Sequence, residues 1–183
     1  LSHIASRYYN YPSKELTIVG ITGTNGKTTT ASIFYSILKA NGYNSAQLGT
    51  MGTITDSFKS KKTLTTLDPI DLHQKFRDFV NDGITHVVME VSSHALDQFR
   101  VADVDFDIGV FTNLAPEHLD YHINMENYFS AKAKLFKMLN SSNTAIVNYE
   151  DKMAPNIVKI SKAKIISFSK DKNTTVYLSE LSH

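Results

Sequence analysis

Alternating strand-like and helix-like segments, a glycine-rich turn between the first of each, and polar clusters after the later strands predict an α/β fold. The expected architecture is a mostly parallel sheet with helices on both faces, since alternating strands and helices pair through crossovers. Leu16–Ile21 is an apolar run of strand length. Thr29–Asn41 has a helical period that groups Ile33, Phe34, Ile37 and Leu38 on one face, with Gly42 as the stop. Tyr43–Leu48 is a second strand, and the polar, threonine- and lysine-rich residues 51–63 suit a hairpin or a mobile loop. Asp71–Asn81 turns Leu72, Phe76, Phe79 and Val80 inward and is closed by Gly83. Thr85–Val91 and Asp107–Thr112 are strands, and Met125–Leu139 is a helix. Thr144–Asn148 and Lys164–Ser169 are strands with a weak helix over Asn156–Ser161 between them. Thr175–Leu181 has the pattern of one more strand, so the domain is expected to be truncated at its C-terminus. The opening at Leu1, without methionine, gives the same expectation of a piece from a longer protein. Right-handed crossovers would gather the loops after the strands on one edge of the sheet.

The turn after the first strand reads Gly20-Ile21-Thr22-Gly23-Thr24-Asn25-Gly26-Lys27-Thr28-Thr29-Thr30. A strand that passes through glycines into a helix N-terminus presents free N–H groups and the positive end of the helix dipole to an anion. Lys27 adds a charge for terminal phosphates, and the Thr28 hydroxyl can reach a bound magnesium. Ile21 stands where the full phosphate-loop pattern has its first glycine, so this is a shortened variant. The bland alternative is a glycine turn before an ordinary helix. The candidate nucleotide site is Gly23, Thr24, Asn25, Gly26, Lys27, Thr28 and Thr29, in a P-loop type of fold.

The 183 residues suit one domain with a real core, and a formal net charge of +1 gives no reason to expect nucleic acid or an acidic membrane as partner. With no cysteine, disulfides, thiolate nucleophiles and cysteine-ligated metals are excluded. No apolar stretch has the length of a membrane span and no secretory signal opens the chain, so a cytoplasmic protein is expected.

The strand His86–Met89 ends in Glu90, and an acid at that place beside a phosphate loop commonly holds magnesium. Ser92-Ser93-His94 follow as a polar turn. After the next strand, Glu117, His118, Asp120 and His122 fall within six residues: a metal or phosphate site, or a solvated loop. In the helix over 125–139, Met125, Tyr128, Phe129, Leu135, Phe136 and Leu139 form one apolar stripe. Lys132 falls inside that stripe, whereas Lys134 and Lys137 lie off it. Either Lys132 extends to water along its stem, or it is buried and faces the site, where a neutral amine is favoured and can be modified.

Gly23-Thr24-Asn25-Gly26-Lys27-Thr28, with Glu90-Val91-Ser92-Ser93-His94 and His118-Leu119-Asp120-Tyr121-His122, resembles the Mur ligases, most closely their MurE branch. The resemblance covers nearly the whole chain, including Tyr11-Pro12-Ser13 ahead of the first strand. It implies three domains: one for the uridine nucleotide, a central ATPase and one that brings an amino acid. Residues 1–15 would be the linker from the first, and 16–183 the central domain, incomplete at its end. It also implies ATP and Mg2+ as cofactors. Lys27 would sit on the phosphates, and Thr28, Glu90, His118 and a carbamate of Lys132 on magnesium, so Lys27, Lys132, His118 and Glu90 carry the catalytic roles. Thr65, Thr66, Ser92, Gln98 and Arg100 match contacts to a UDP-muramoyl dipeptide. Leu64 and Leu67 depart from the asparagine and proline often found around the paired threonines, and Ala115-Pro116 from a polar pair before Glu117.

The activity so implied is ATP-dependent amide formation in peptidoglycan precursor synthesis, in a bacterial cytoplasm. The third amino acid, diaminopimelate or lysine, would join the dipeptide through an acyl phosphate. No nucleic acid, no membrane and a monomeric state are expected. Two rival readings are another P-loop enzyme, such as a folylpolyglutamate synthetase-like ligase, and a non-catalytic nucleotide-binding module. The first rival needs no contact to a uridine diphosphate peptide. The second needs neither a second metal nor a modified lysine.

Overall fold

A computed structural model describes residues 1–60 and 64–177. The chain runs α1 (Ser2–Tyr8), a 3-10 turn (Pro12–Glu15), β1 (Thr17–Thr22), α2 (Lys27–Ala40), β2 (Ser45–Gly49), β3 (Gly52–Ile54) and α3 (Pro69–Asn81). It continues with β4 (His86–Glu90), α4 (Ser93–Asp97), β5 (Ile108–Phe111), α5 (Leu119–His122) and α6 (Met125–Met138). Then come β6 (Thr144–Asn148), α7 (Ala154–Ile160), β7 (Lys164–Ser169) and β8 (Val176–Tyr177). The strands form one sheet in the order β3-β2-β4-β1-β5-β6-β7-β8. All neighbours are parallel except β2 and β3, which form an antiparallel hairpin. The last expected strand is described only as far as Tyr177, and the rest of it lies outside the described residues.

Alternation along β1 divides the core. Ile18 faces a cluster supplied by Leu72, Phe76 and Phe79 of α3, Leu96 of α4, Leu135 and Phe136 of α6, and Ile157 of α7. Val19 and Ile21 face the other side, where Ala31 is buried and Phe34 and Leu38 pack from α2. Helices thus lie on both faces, as the parallel order requires.

The inward face of α2 differs from the expectation. Ala31 and Tyr35 are buried and Phe34 and Leu38 half-buried, while Ile33 and Ile37 are more than half exposed. The four-residue step Ala31–Tyr35, with Phe34 and Leu38, outcompetes the Ile33–Ile37 step because small Ala31 lets the helix approach the sheet closely. Ile33, Ile37 and Met51 line an open groove beside Thr28 and Thr29.

Residues 1–15 are not extended. The Arg77 side chain donates to the carbonyls of Tyr9 (3.0 Å) and Asn10 (3.0 Å) and pairs with Glu15 (2.7 Å), clamping the segment to α3. The helix over 154–160 begins before Asn156 because Pro155 occupies its first turn, where a missing N–H costs nothing. Two polar stretches read as turn and loop each contain a single short helix, α4 and α5.

These faces predict a contrast in urea denaturation. Phe76→Ala, at a fully buried side chain, should lower stability by about 3–5 kcal/mol. Ile33→Ser should change it by no more than about 0.5 kcal/mol. Comparable losses would contradict the assignment of faces.

Candidate active site at the phosphate loop

β1 ends at Thr22 and α2 begins at Lys27, so the intervening loop is anchored at both ends. Gly23 (φ 153°) and Gly26 (φ 83°) take backbone conformations that side chains disfavour. A Cβ on Gly23 would also collide with the Thr112 hydroxyl. The loop is docked on the segment after β5. Thr24 N donates to Asn113 O (2.9 Å), Asn25 N to Asn113 Oδ1 (3.0 Å) and the Thr112 hydroxyl to Asn25 O (2.7 Å). The Thr24 hydroxyl donates to Ala115 O (3.1 Å) and accepts from Ala115 N (2.9 Å). Its one proton being used, Tyr128 Oη donates to it across 3.1 Å. Thr24 therefore joins the phosphate loop to the β5–α5 loop and to α6.

Lys27 folds back on the loop, its Nζ donating to Gly23 O (3.0 Å) and Thr24 O (2.8 Å). Burial lowers its pKa, against the opposing pull of Glu117 and Glu90. The first N–H groups of α2 have no intrahelical partner and remain for an anion. Thr29 is exposed at the same helix end.

Glu90 ends β4 with 1% of its surface exposed. Its carboxylate accepts from the Thr28 hydroxyl (2.8 Å), from Thr50 N (3.0 Å) and from the Thr50 hydroxyl (3.3 Å). All three donors are neutral, so the buried charge remains free to attract a cation. A hard oxygen anion beside a phosphate-loop hydroxyl fits magnesium. Among the described residues no three His, Asp or Glu side chains are grouped to hold a metal unaided.

Lys132 settles the alternative left open by the apolar stripe. It is 1% exposed, so it does not reach water. Its Nζ donates to Gly23 O (2.8 Å) and lies 4.5 Å from the centre of the Tyr128 ring. Burial, aided by the nearby Lys27 charge and opposed by Glu117, lowers its pKa to about 7. The amide acceptor and the aromatic face favour the charged form, but desolvation outweighs them. Lys134, in contrast, pairs with Asp97 at 2.8 Å.

The Glu117–His122 loop groups no three metal-binding side chains among the described residues, but His118 and His122 both lie against the His94 ring, at 4.8 and 5.4 Å. His122 is buried and its Nε2 is 3.0 Å from the Ser93 hydroxyl. His118 is half-exposed, with its backbone left-handed (φ 55°). Glu117, read in the sequence as one of the two acids of that loop, and Tyr128, read there as a member of the apolar stripe, both take part in the lysine site. Glu117 opposes the lowering of both lysine pKa values, and burial, aided by Glu117, raises that of Tyr128.

The five residues matched to substrate contacts come together beside Glu90. The Thr66 hydroxyl donates to Glu90 O (3.0 Å) and accepts from Ser92 N (3.0 Å). Arg100 donates to Thr66 O (3.2 Å) and Gln98 Oε1 (2.8 Å). Thr65 Oγ1 is 3.1 Å from Thr50 Oγ1. Ser92 also caps α4, accepting from Ala95 N. Leu67, at the place of the frequent proline, packs on the core.

The lysine predicts a pH effect. In the unfolded chain it titrates near 10.5, and in the folded protein near 7. Between those values the unfolded chain binds more protons, so this group makes stability rise with pH across that window. In CO2-free buffer, urea midpoints should show the wild type gaining on Lys132→Met from pH 7 to pH 10. Parallel curves would contradict the burial of a titrating amine.

Comparison with known proteins identifies the family. Residues 21–183 match the family described as Mur ligase middle domain. The chain is 41% identical over 168 residues to a UDP-N-acetylmuramoyl-L-alanyl-D-glutamate–2,6-diaminopimelate ligase of Caldanaerobacter subterraneus, covering 92% of this chain and 34% of that protein. With the ligase of the same name from a Nostoc species it shares 42% over 182 residues, 98% of this chain and 37% of that one. It superposes on a solved structure of such a ligase with a TM-score of 0.82 and 31% identity, over 94% of this chain and 37% of the other. A folate-type ligase, E. coli FolC in complex with DHPP and ADP, shares the fold with a TM-score of 0.71 at 18% identity, over 92% of this chain and 46% of that one. The chain thus spans about a third of the length of the curated relatives it matches. On these matches, the chain belongs to the Mur ligase family.

Proposed function

We propose that this chain is the central ATP-binding part of a MurE-type ligase, which joins an amino acid to UDP-N-acetylmuramoyl-L-alanyl-D-glutamate at the expense of ATP. The relatives' names support that dipeptide as acceptor and 2,6-diaminopimelate as the amine. Residues 1–15 connect to a uridine-nucleotide domain, and residues 16–183 belong to the central one. The observation that carries the reading is the buried Lys132 amine, set against the phosphate loop through Gly23 O.

In this reading the dipeptide carboxylate attacks the γ-phosphorus of ATP and ADP leaves. The amine of the incoming amino acid then displaces phosphate from the acyl phosphate and gives up a proton. Both reactants of the first step are anions. Lys27, released from the Gly23 and Thr24 carbonyls, and the α2 N-terminus stabilise the charge that develops. The near-neutral Lys132 amine adds carbon dioxide, forming an N–C bond and losing a proton to water. The resulting carbamate has oxygen donors where the free amine had none. Magnesium, when bound, would neutralise phosphate charge. Thr28, Glu90, His118 and the Lys132 carbamate are the residues that would hold it. Thr65, Thr66, Ser92, Gln98 and Arg100 would bind the dipeptide next to Glu90.

Lys132→Ala in the intact enzyme should abolish ligation, and acetate or formate should restore part of it by replacing the missing carboxylate. Steady-state ADP release with and without added carboxylate measures this. Full activity of the variant at ordinary magnesium would refute the role.

A further inference from the structure

Thr50 has no role in the reading above, yet it is the residue that touches both of its halves. It sits at the turn between β2 and β3. Its N–H donates to Glu90 Oε1 at 3.0 Å, its hydroxyl reaches Glu90 Oε2 at 3.3 Å, and the same hydroxyl is 3.1 Å from the Thr65 hydroxyl. The turn comes this close because position 49 is glycine: a Cβ there would collide with Glu90 Oε1. The approach is a matter of space, since Gly49 needs no unusual backbone angle.

Proton bookkeeping gives the contact a direction. An ionised carboxylate only accepts, so the single Thr50 hydroxyl proton belongs to Glu90. The Thr50 oxygen must then accept the proton that Thr65 offers. The result is a chain, Thr65 to Thr50 to Glu90, in which each bond polarises the next. A second strand of bonding runs beside it, from the Thr66 hydroxyl to the backbone carbonyl of Glu90. The loop at 65–66 therefore holds both the side chain and the backbone of the acid.

We propose that Thr50 is a positioning residue that transmits occupancy of the acceptor-substrate loop, through the Thr65 hydroxyl, to the charge that Glu90 offers a divalent cation. The inference rests on the reading of Glu90 as the acid that faces the metal and of Thr65 as a substrate contact. When an anionic group of the dipeptide takes the Thr65 proton, Thr50 loses its donor. Its own bond to Glu90 weakens, and more of the carboxylate charge is left for the cation. Substrate arrival would tighten the metal site without any backbone movement.

The test removes the substrate from the problem. In the intact protein with ADP and no dipeptide, Mn2+ affinity is measured by electron paramagnetic resonance. Thr65→Val deletes the donor to Thr50. It should tighten Mn2+ about threefold, near the lower end of couplings seen between contacting members of one network. The same change in a Thr50→Val background, which keeps the N–H bond and lacks the hydroxyl, should have no effect. In a Thr50→Ser background, which keeps the hydroxyl, the threefold effect should return. An unchanged or weaker affinity for Thr65→Val, or an equal effect in the Thr50→Val background, overturns the proposal. Glu90→Gln is the control for the reading beneath it: if that variant binds Mn2+ as the wild type does, Glu90 is not the metal-facing acid and the failure lies there.

Discussion

Holding the Lys132 amine out of water against the Gly23 carbonyl costs free energy, and the surrounding site is arranged to offset it. The amine finds one amide oxygen and one aromatic face, which together satisfy it in part. The remainder of the cost appears as a pKa near 7. Relief by losing the proton leaves a nucleophilic amine in a dry pocket. The position of that pocket depends on the phosphate loop, because the carbonyl that receives the amine belongs to the loop. The loop in turn depends on Thr24, whose hydroxyl makes three hydrogen bonds to two other parts of the chain. Loop, lysine and the residues after β5 therefore form one packed unit.

Glu90 is the matching element of opposite sign. Its hydrogen-bond donors are neutral, so the acid at the strand end, bonded directly to Thr28 of the phosphate-loop helix, is not paired with a cation among the described residues. A buried amine and a buried acid share one loop without forming an ion pair among the described residues. Direct pairing would have neutralised both groups and left little for a nucleotide or a cation to bind. Separation keeps each available, at a cost in stability that sites of this kind commonly bear.

Much of this was legible in the sequence, for identifiable reasons. The phosphate loop was readable because strand, glycines, Lys-Thr and helix must occur together for the geometry to work. Lys132 stood out because a helical period is strict enough to show one misplaced charge. Other features were not readable. The helices α1, α4 and α5 are too short to show a period. On α2, Ile33 and Ile37 attracted the inward assignment because they are larger than Ala31, yet the small residue decides how close the helix comes. Thr50 and Tyr128 were silent because their roles depend on long-range partners, Glu90 and Thr24, that no local pattern records.

The central claim is that Lys132 is a reactive amine held beside the phosphate loop. The direct measurement is 13C NMR of the intact protein equilibrated with 13C-bicarbonate near pH 7.5, in the wild type and in Lys132→Arg. The account predicts a carbamate resonance in the wild type that is absent from the arginine variant, whose side chain stays protonated. A wild-type spectrum with no carbamate resonance, or one that persists unchanged in Lys132→Arg, would contradict it.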